Sequence, residues 1–61
     1  MKVRELVKLL EADGWYLVRT HGSHHVYAHR EKPGIVVVPG TRNLDVRPGT
    51  LNSILKMAGL R

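Results

Sequence analysis

Over residues 2–13 the apolar side chains Val3, Leu6, Val7 and Leu10 recur at the i, i+3, i+4, i+7 spacing of one helical face. Arg4, Lys8 and Glu11 occupy the opposite face, and Gly14 can take the left-handed conformation that closes the last turn. Beyond Gly14 the period falls from 3.6 to 2. Residues 15–20 and 24–29 are rich in aromatic and β-branched side chains, which predicts two strands. His21, Gly22 and Ser23 between them form a short turn, so the pair is expected to be a hairpin. Pro33 and Gly34 stand in the order a type II turn prefers and lead to a third strand at 35–38. Its unbroken apolar run predicts burial on both faces or a central place in the sheet. Residues 40–49 show no period and carry Arg42 and Arg47, as a basic loop would. A last helix is predicted over 50–58, with Leu51, Ile54, Leu55 and Ala58 on one face, Thr50 as N-cap and Gly59 as its stop.

The predicted order is helix, strand, strand, strand, helix. In so short a chain, two helical stripes and one sheet face are buried most economically when both helices cover the same side of a three-stranded antiparallel sheet. This is an α+β fold, α-β-β-β-α, in the order of small double-stranded-RNA-binding domains. A length of 61 residues predicts one domain over 1–61, near the lower size limit for folding without disulfides or a metal. No internal repeat, linker or low-complexity segment interrupts it.

Composition narrows the chemistry. Cysteine is absent, which excludes disulfides, thiolate zinc sites and a Cys nucleophile and suits the reducing cytoplasm where the chain is expected. The longest apolar run, 35–39, is far too short to span a bilayer, so a soluble protein with no membrane partner is predicted. The net charge is +5, and its distribution is uneven. Residues 1–14 are neutral, with Lys2, Arg4 and Lys8 against Glu5, Glu11 and Asp13. Residues 15–61 set seven basic side chains against Glu31 and Asp45. The excess after Gly14 points to a polyanionic partner, either nucleic acid or an acidic protein surface.

Four histidines, His21, His24, His25 and His29, fall within nine positions. Metal binding fits them poorly, because adjacent strand residues diverge and no carboxylate or thiolate lies within the cluster to complete a site. No metal or other cofactor is expected. His21 and His29, at the hairpin's ends, read as ordinary polar residues on a solvated strand face. Acid-base chemistry is the remaining reading. Imidazole exchanges a proton near neutral pH, and RNA carries its own nucleophile in the 2′-hydroxyl. A minimal ribonuclease needs one placed acid-base group, cations to stabilise charge at phosphorus and a backbone-binding surface.

The stretch Gly22-Ser23-His24-His25-Val26-Tyr27 is preceded by Asp13-Gly14-Trp15 and followed by Val38-Pro39, Gly49-Thr50-Leu51, Ile54-Leu55-Lys56 and Ala58-Gly59-Leu60. In this arrangement the chain resembles the HicA family of bacterial toxins over essentially its whole length. The resemblance implies a double-stranded-RNA-binding-like fold, metal-independent cleavage of messenger RNA, and growth arrest when the protein is free of its HicB antitoxin. The family's catalytic histidine directly follows Gly-Ser, which maps onto His24; His25 is at most accessory. Two positions depart from the family pattern. His21 stands where a Lys is common, which weakens one phosphate contact. Thr41 stands where a His often follows the Pro after the third strand, so the second proton transfer falls to His25, a basic residue or water.

His24 is therefore the expected catalytic residue, acting either on the 2′-hydroxyl proton or on the leaving oxygen. Arg19, Arg42 and Arg47, with His25, are the expected RNA-binding residues, since guanidinium forms bidentate hydrogen bonds to phosphate. Trp15 and Tyr27 are expected to pack in the core or sheet rather than stack on bases. The expected partners are messenger RNA and an acidic HicB-type antitoxin, with the isolated chain monomeric. A non-catalytic RNA-binding module is the principal rival, and a protein-interaction domain the second.

Overall fold

The computed structural model describes residues 1–61. Its elements are α1 (Val3–Ala12), β1 (Tyr16–His21), β2 (His24–Ala28), β3 (Ile35–Pro39) and α2 (Pro48–Met57). The sheet is antiparallel in the order β1-β2-β3, so the α-β-β-β-α fold is the one expected. Neither helix is long and apolar enough to cross a membrane.

One core serves the molecule. Val3, Leu6 and Leu10 of α1 meet Ile54 and Ala58 from the α2 region over Tyr27, Val36 and Val38 of the sheet, with Trp15 and Val46 closing the ends. Both helices thus cover one sheet face, and the other is open. On that open face Tyr16, Ile35 and Val37 are exposed. β3 differs from expectation: it is an edge strand, and its residues alternate between exposed and buried rather than being buried throughout. The apolar run had concealed a period of 2, because Ile35 and Val37 face outward although they are as apolar as Val36 and Val38.

The turns follow their residues. Gly22 occupies the first position of the two-residue hairpin turn with φ +58°, the left-handed requirement of a type II′ turn. Gly34 follows Pro33 with φ +81°. α2 begins two residues earlier than predicted: Pro48 stands in the first turn, Arg47 is the N-cap and Thr50 lies inside the helix. The loop before it is anchored rather than free. Val3 N–H donates to the Leu44 carbonyl at 2.9 Å, Arg4 N–H to the Arg42 carbonyl at 3.1 Å, and Val46 N–H to the Met1 carbonyl at 2.8 Å. Lys2 N–H donates to Glu5 Oε1 at 2.8 Å. Loop carbonyls thus satisfy amide groups that the first turn of a helix leaves without intrahelical partners.

Candidate functional site

Strand register decides which face each candidate occupies, because cross-strand partners share a face. Tyr27 pairs with Leu17 and Val36, and His25 with Thr20 and Val38; all lie on the helix-covered side. His24 pairs with His21 and Pro39, and Val26 with Arg19 and Val37, on the open side. His24 and His25 therefore diverge across the sheet, as the strand geometry predicts. No group of three or more His, Cys, Asp or Glu side chains is gathered to hold a metal ion.

Arg19 reaches the open face through an irregularity. Leu17 pairs with Tyr27 and Arg19 with Val26, which leaves Val18 as an extra residue in β1. Two residues of one strand then oppose a single step of its partner, as in a β-bulge. Strict alternation would put Arg19 on the side of Leu17; the bulge moves it to the side of His24. His24, His21 and Arg19 are all exposed there, next to the Gly22-Ser23 turn.

His25 and Arg42 belong to a second place. With Arg4, Val7, Lys8 and Glu11 of α1, and with Leu17 and Tyr27 of the hairpin, they line a cleft of about 320 Å³. Thr20 Oγ1 lies 3.4 Å from His25 Nδ1 at its margin. Arg4 Nη1 donates to Asn43 Oδ1 at 2.5 Å, so the loop that carries Arg42 is tied to the same wall. Burial, then the Glu11 carboxylate, raise the Tyr27 hydroxyl pKa above its ordinary value, with Arg42 opposing. The phenol is consequently a neutral donor throughout the physiological range. The polar face of α1 is one wall of this cleft, and Arg4 and Lys8 were not among the residues expected to bind. Their spacing of four, on the polar side of an amphipathic helix, is the signal that could have found them.

Arg47 lies elsewhere, beside Leu44, Asp45 and Thr50 in a shallow depression at the start of α2. The three arginines expected to bind RNA thus occupy three positions: Arg19 on the open face, Arg42 in the cleft and Arg47 at the N-cap.

His29 is structural, though not solvated as expected. Its side chain is 8 % exposed. Nε2 lies 2.6 Å from the Asp13 carbonyl, while Nδ1 accepts N–H bonds from Glu31 at 3.0 Å and Lys32 at 3.1 Å. This network assigns a neutral ring with its proton on Nε2. The ring also meets Trp15 edge-on at 5.2 Å. The buried Trp15 indole N–H meets no acceptor at hydrogen-bond geometry, although it contributes the smallest of the favourable influences on the Asp13 carboxylate.

The comparisons with known proteins agree with this layout. No curated protein matches the chain. The family model described as the HicA toxin of bacterial toxin-antitoxin systems matches residues 3–60, from the first residue of α1 to just beyond α2. That match takes in both helices, all three strands and the Gly-Ser-His turn, and the chain therefore belongs to the HicA toxin family.

Proposed function

We propose that this toxin is a metal-independent endoribonuclease that cleaves messenger RNA in the cytoplasm, with His24 as its acid-base residue. The observation that carries the reading is the grouping of His24, its register partner His21 and Arg19 on one exposed face beside a tight turn. His29 commits both ring nitrogens to backbone groups, whereas His24 is exposed and available to a substrate.

The chemistry balances without a cofactor. The RNA 2′-oxygen bonds to the adjacent phosphorus as its proton passes to a base; the bond from phosphorus to the 5′-oxygen breaks as that oxygen takes a proton. His24 performs one of these transfers. Arg19, on the same face, is placed to stabilise charge at phosphorus. His21 faces the same substrate from across the hairpin and is a candidate for the other transfer, in the place where the family's common Lys would only bind phosphate. His25 opens to the opposite side, so its contribution is to hold RNA rather than to share a proton with His24.

As a member of a toxin-antitoxin system the protein has an antitoxin partner. We infer an acidic HicB-type protein that covers the Gly-Ser-His face, since the excess of positive charge and the exposed apolar Tyr16, Ile35 and Val37 both suit such a cover. The test is induction of the wild type and of His24→Ala in bacteria, with RNA integrity followed in parallel. Growth arrest with RNA cleavage by the wild type alone supports the reading. RNA binding without cleavage by the wild type would favour a non-catalytic module instead.

A further inference from the structure

The cleft between α1 and the hairpin lies on the other side of the sheet from His24 and is not needed for the proton transfers. Its make-up is specific. Val7 and Leu17 supply apolar walls, Tyr27 supplies a ring and a hydroxyl, and Arg4, Lys8 and Arg42 set three positive charges against the single Glu11. No buried, unsatisfied atom is found at Tyr27, and no protein group is within hydrogen-bonding geometry of its hydroxyl, which leaves that donor open to the cleft. An apolar floor with one polar reader and a cationic rim is complementary to a nucleotide: a flat base with hydrogen-bonding edges, flanked by phosphates. A volume of about 320 Å³ is at the small end of ligand sites, enough for one such unit and too narrow for a duplex.

We propose that this cleft is a subsite for one unstacked nucleotide of single-stranded RNA, and that it sets which position along the strand is presented to His24. This rests on the reading of RNA as the substrate. The base enters between Val7, Leu17 and Tyr27; the Tyr27 hydroxyl and His25 meet its polar edge; Arg4, Lys8 and Arg42 hold the flanking phosphates. His25 and His24 are consecutive, so a strand that passes over the Gly22-Ser23 end of the hairpin reaches both faces. Tyr27 and His25 act as specificity residues, remote from the reacting atoms.

The test uses the full chain and a short mixed-sequence 2′-O-methyl oligoribonucleotide, which lacks the nucleophile and is not cut. Amide shift mapping is expected to move Lys8, Leu17, His25, Tyr27 and Arg42. Tyr27→Phe keeps the ring in the core and should weaken binding about three- to tenfold, the loss of one hydrogen bond, with an unchanged salt slope. Lys8→Gln, at an exposed position, should weaken binding and reduce the salt slope by about one. On cleavable RNA, Tyr27→Phe should alter the distribution of cut sites. Oligonucleotide binding with shifts confined to the open face and both variants at wild-type affinity would overturn the subsite while leaving the ribonuclease reading intact. Absence of RNA binding by the wild type would overturn both. Cleft shifts produced by an acidic peptide and not by the oligonucleotide would assign the cleft to a protein partner and overturn the proposal.

Discussion

Lys32 Nζ sits 2.5 Å from Asp13 Oδ2 and donates to the Ala58 carbonyl at 3.0 Å, so one ammonium ties the end of α1 to the β2-β3 connection and the end of α2. The hydrogen bond from Lys32 is the foremost reason that the Asp13 carboxyl lies below its ordinary range; partial burial opposes it, and the charge of Lys32 assists. A carboxyl depressed in the folded state stabilises the fold above its unfolded pKa of about 3.9, and the contribution is lost as pH falls through the depressed value. Asp13→Asn should therefore melt below the wild type at neutral pH, and the gap should close in acid below about pH 4. A gap independent of pH would show that the ionised pair does not account for the difference.

Leu6 is fully buried in the core, whereas Leu9 on the same helix is 44 % exposed. A charge placed at Leu6 costs several kcal/mol, comparable with the roughly 5–15 kcal/mol that holds a small domain folded. Leu6→Asp should leave the chain unfolded by circular dichroism, and Leu9→Asp should melt near the wild type. Equal melting of the two would mean that α1 is rotated from the position described.

Gly14 has φ +103°, and a Cβ there would come within 2.8 Å of His29 Nε2, in the network that fixes the histidine ring. Gly14→Ala should cost about 1–3 kcal/mol, since strain and steric displacement add. Gly22 has φ +58° but open space where its Cβ would stand, so Gly22→Ala should cost less, about 1 kcal/mol. Thermal melts of the two variants should rank in that order; the reverse ranking would remove the His29 contact from the explanation.

His24→Ala should lower RNA cleavage by about 10² to 10⁴ fold, the usual contribution of a positioned proton-transfer group, while the melting curve stays close to wild type. RNA binding should persist and weaken steeply with salt, as counterion release requires. Cleavage by the wild type should survive excess chelator. Recovery of a chelator-inhibited enzyme by zinc would replace this mechanism with a metal-dependent one, and full activity in His24→Ala would take the role away from this histidine.

Co-expression of a HicB-type antitoxin should restore growth to cells making the toxin, and the purified pair should elute as one complex. Arg19→Glu should weaken that complex if the antitoxin covers the open face, because a guanidinium beside His24 becomes a repelling charge against an acidic partner. Unchanged association would move the antitoxin contact to another surface.

The element order and most of the core were legible in the sequence because they depend on local periodicity. Val3, Leu6 and Leu10 at helical spacing, and Ile54 and Ala58 likewise, can be buried only on one side of their helices. Gly14, Gly22 and Gly59 marked turns for the same local reason, and all three have positive φ. The Gly-Ser-His motif was equally local, and it fixed His24 at the first position of β2 whatever the rest of the chain did. What local pattern could not decide was how strands align and which face they offer. The unpaired Val18 moves Arg19 to the side of His24, and nothing in the residues 17–19 announces that step, because a bulge is a property of two paired strands. The edge position of β3 was likewise hidden: an apolar run is the same whether its outer face meets a second layer or solvent. Arg42 joins Arg4 and Lys8 only because the carbonyls of Arg42 and Leu44 accept the first amides of α1, closing a loop of nearly forty residues by contacts that no spacing along the chain reveals.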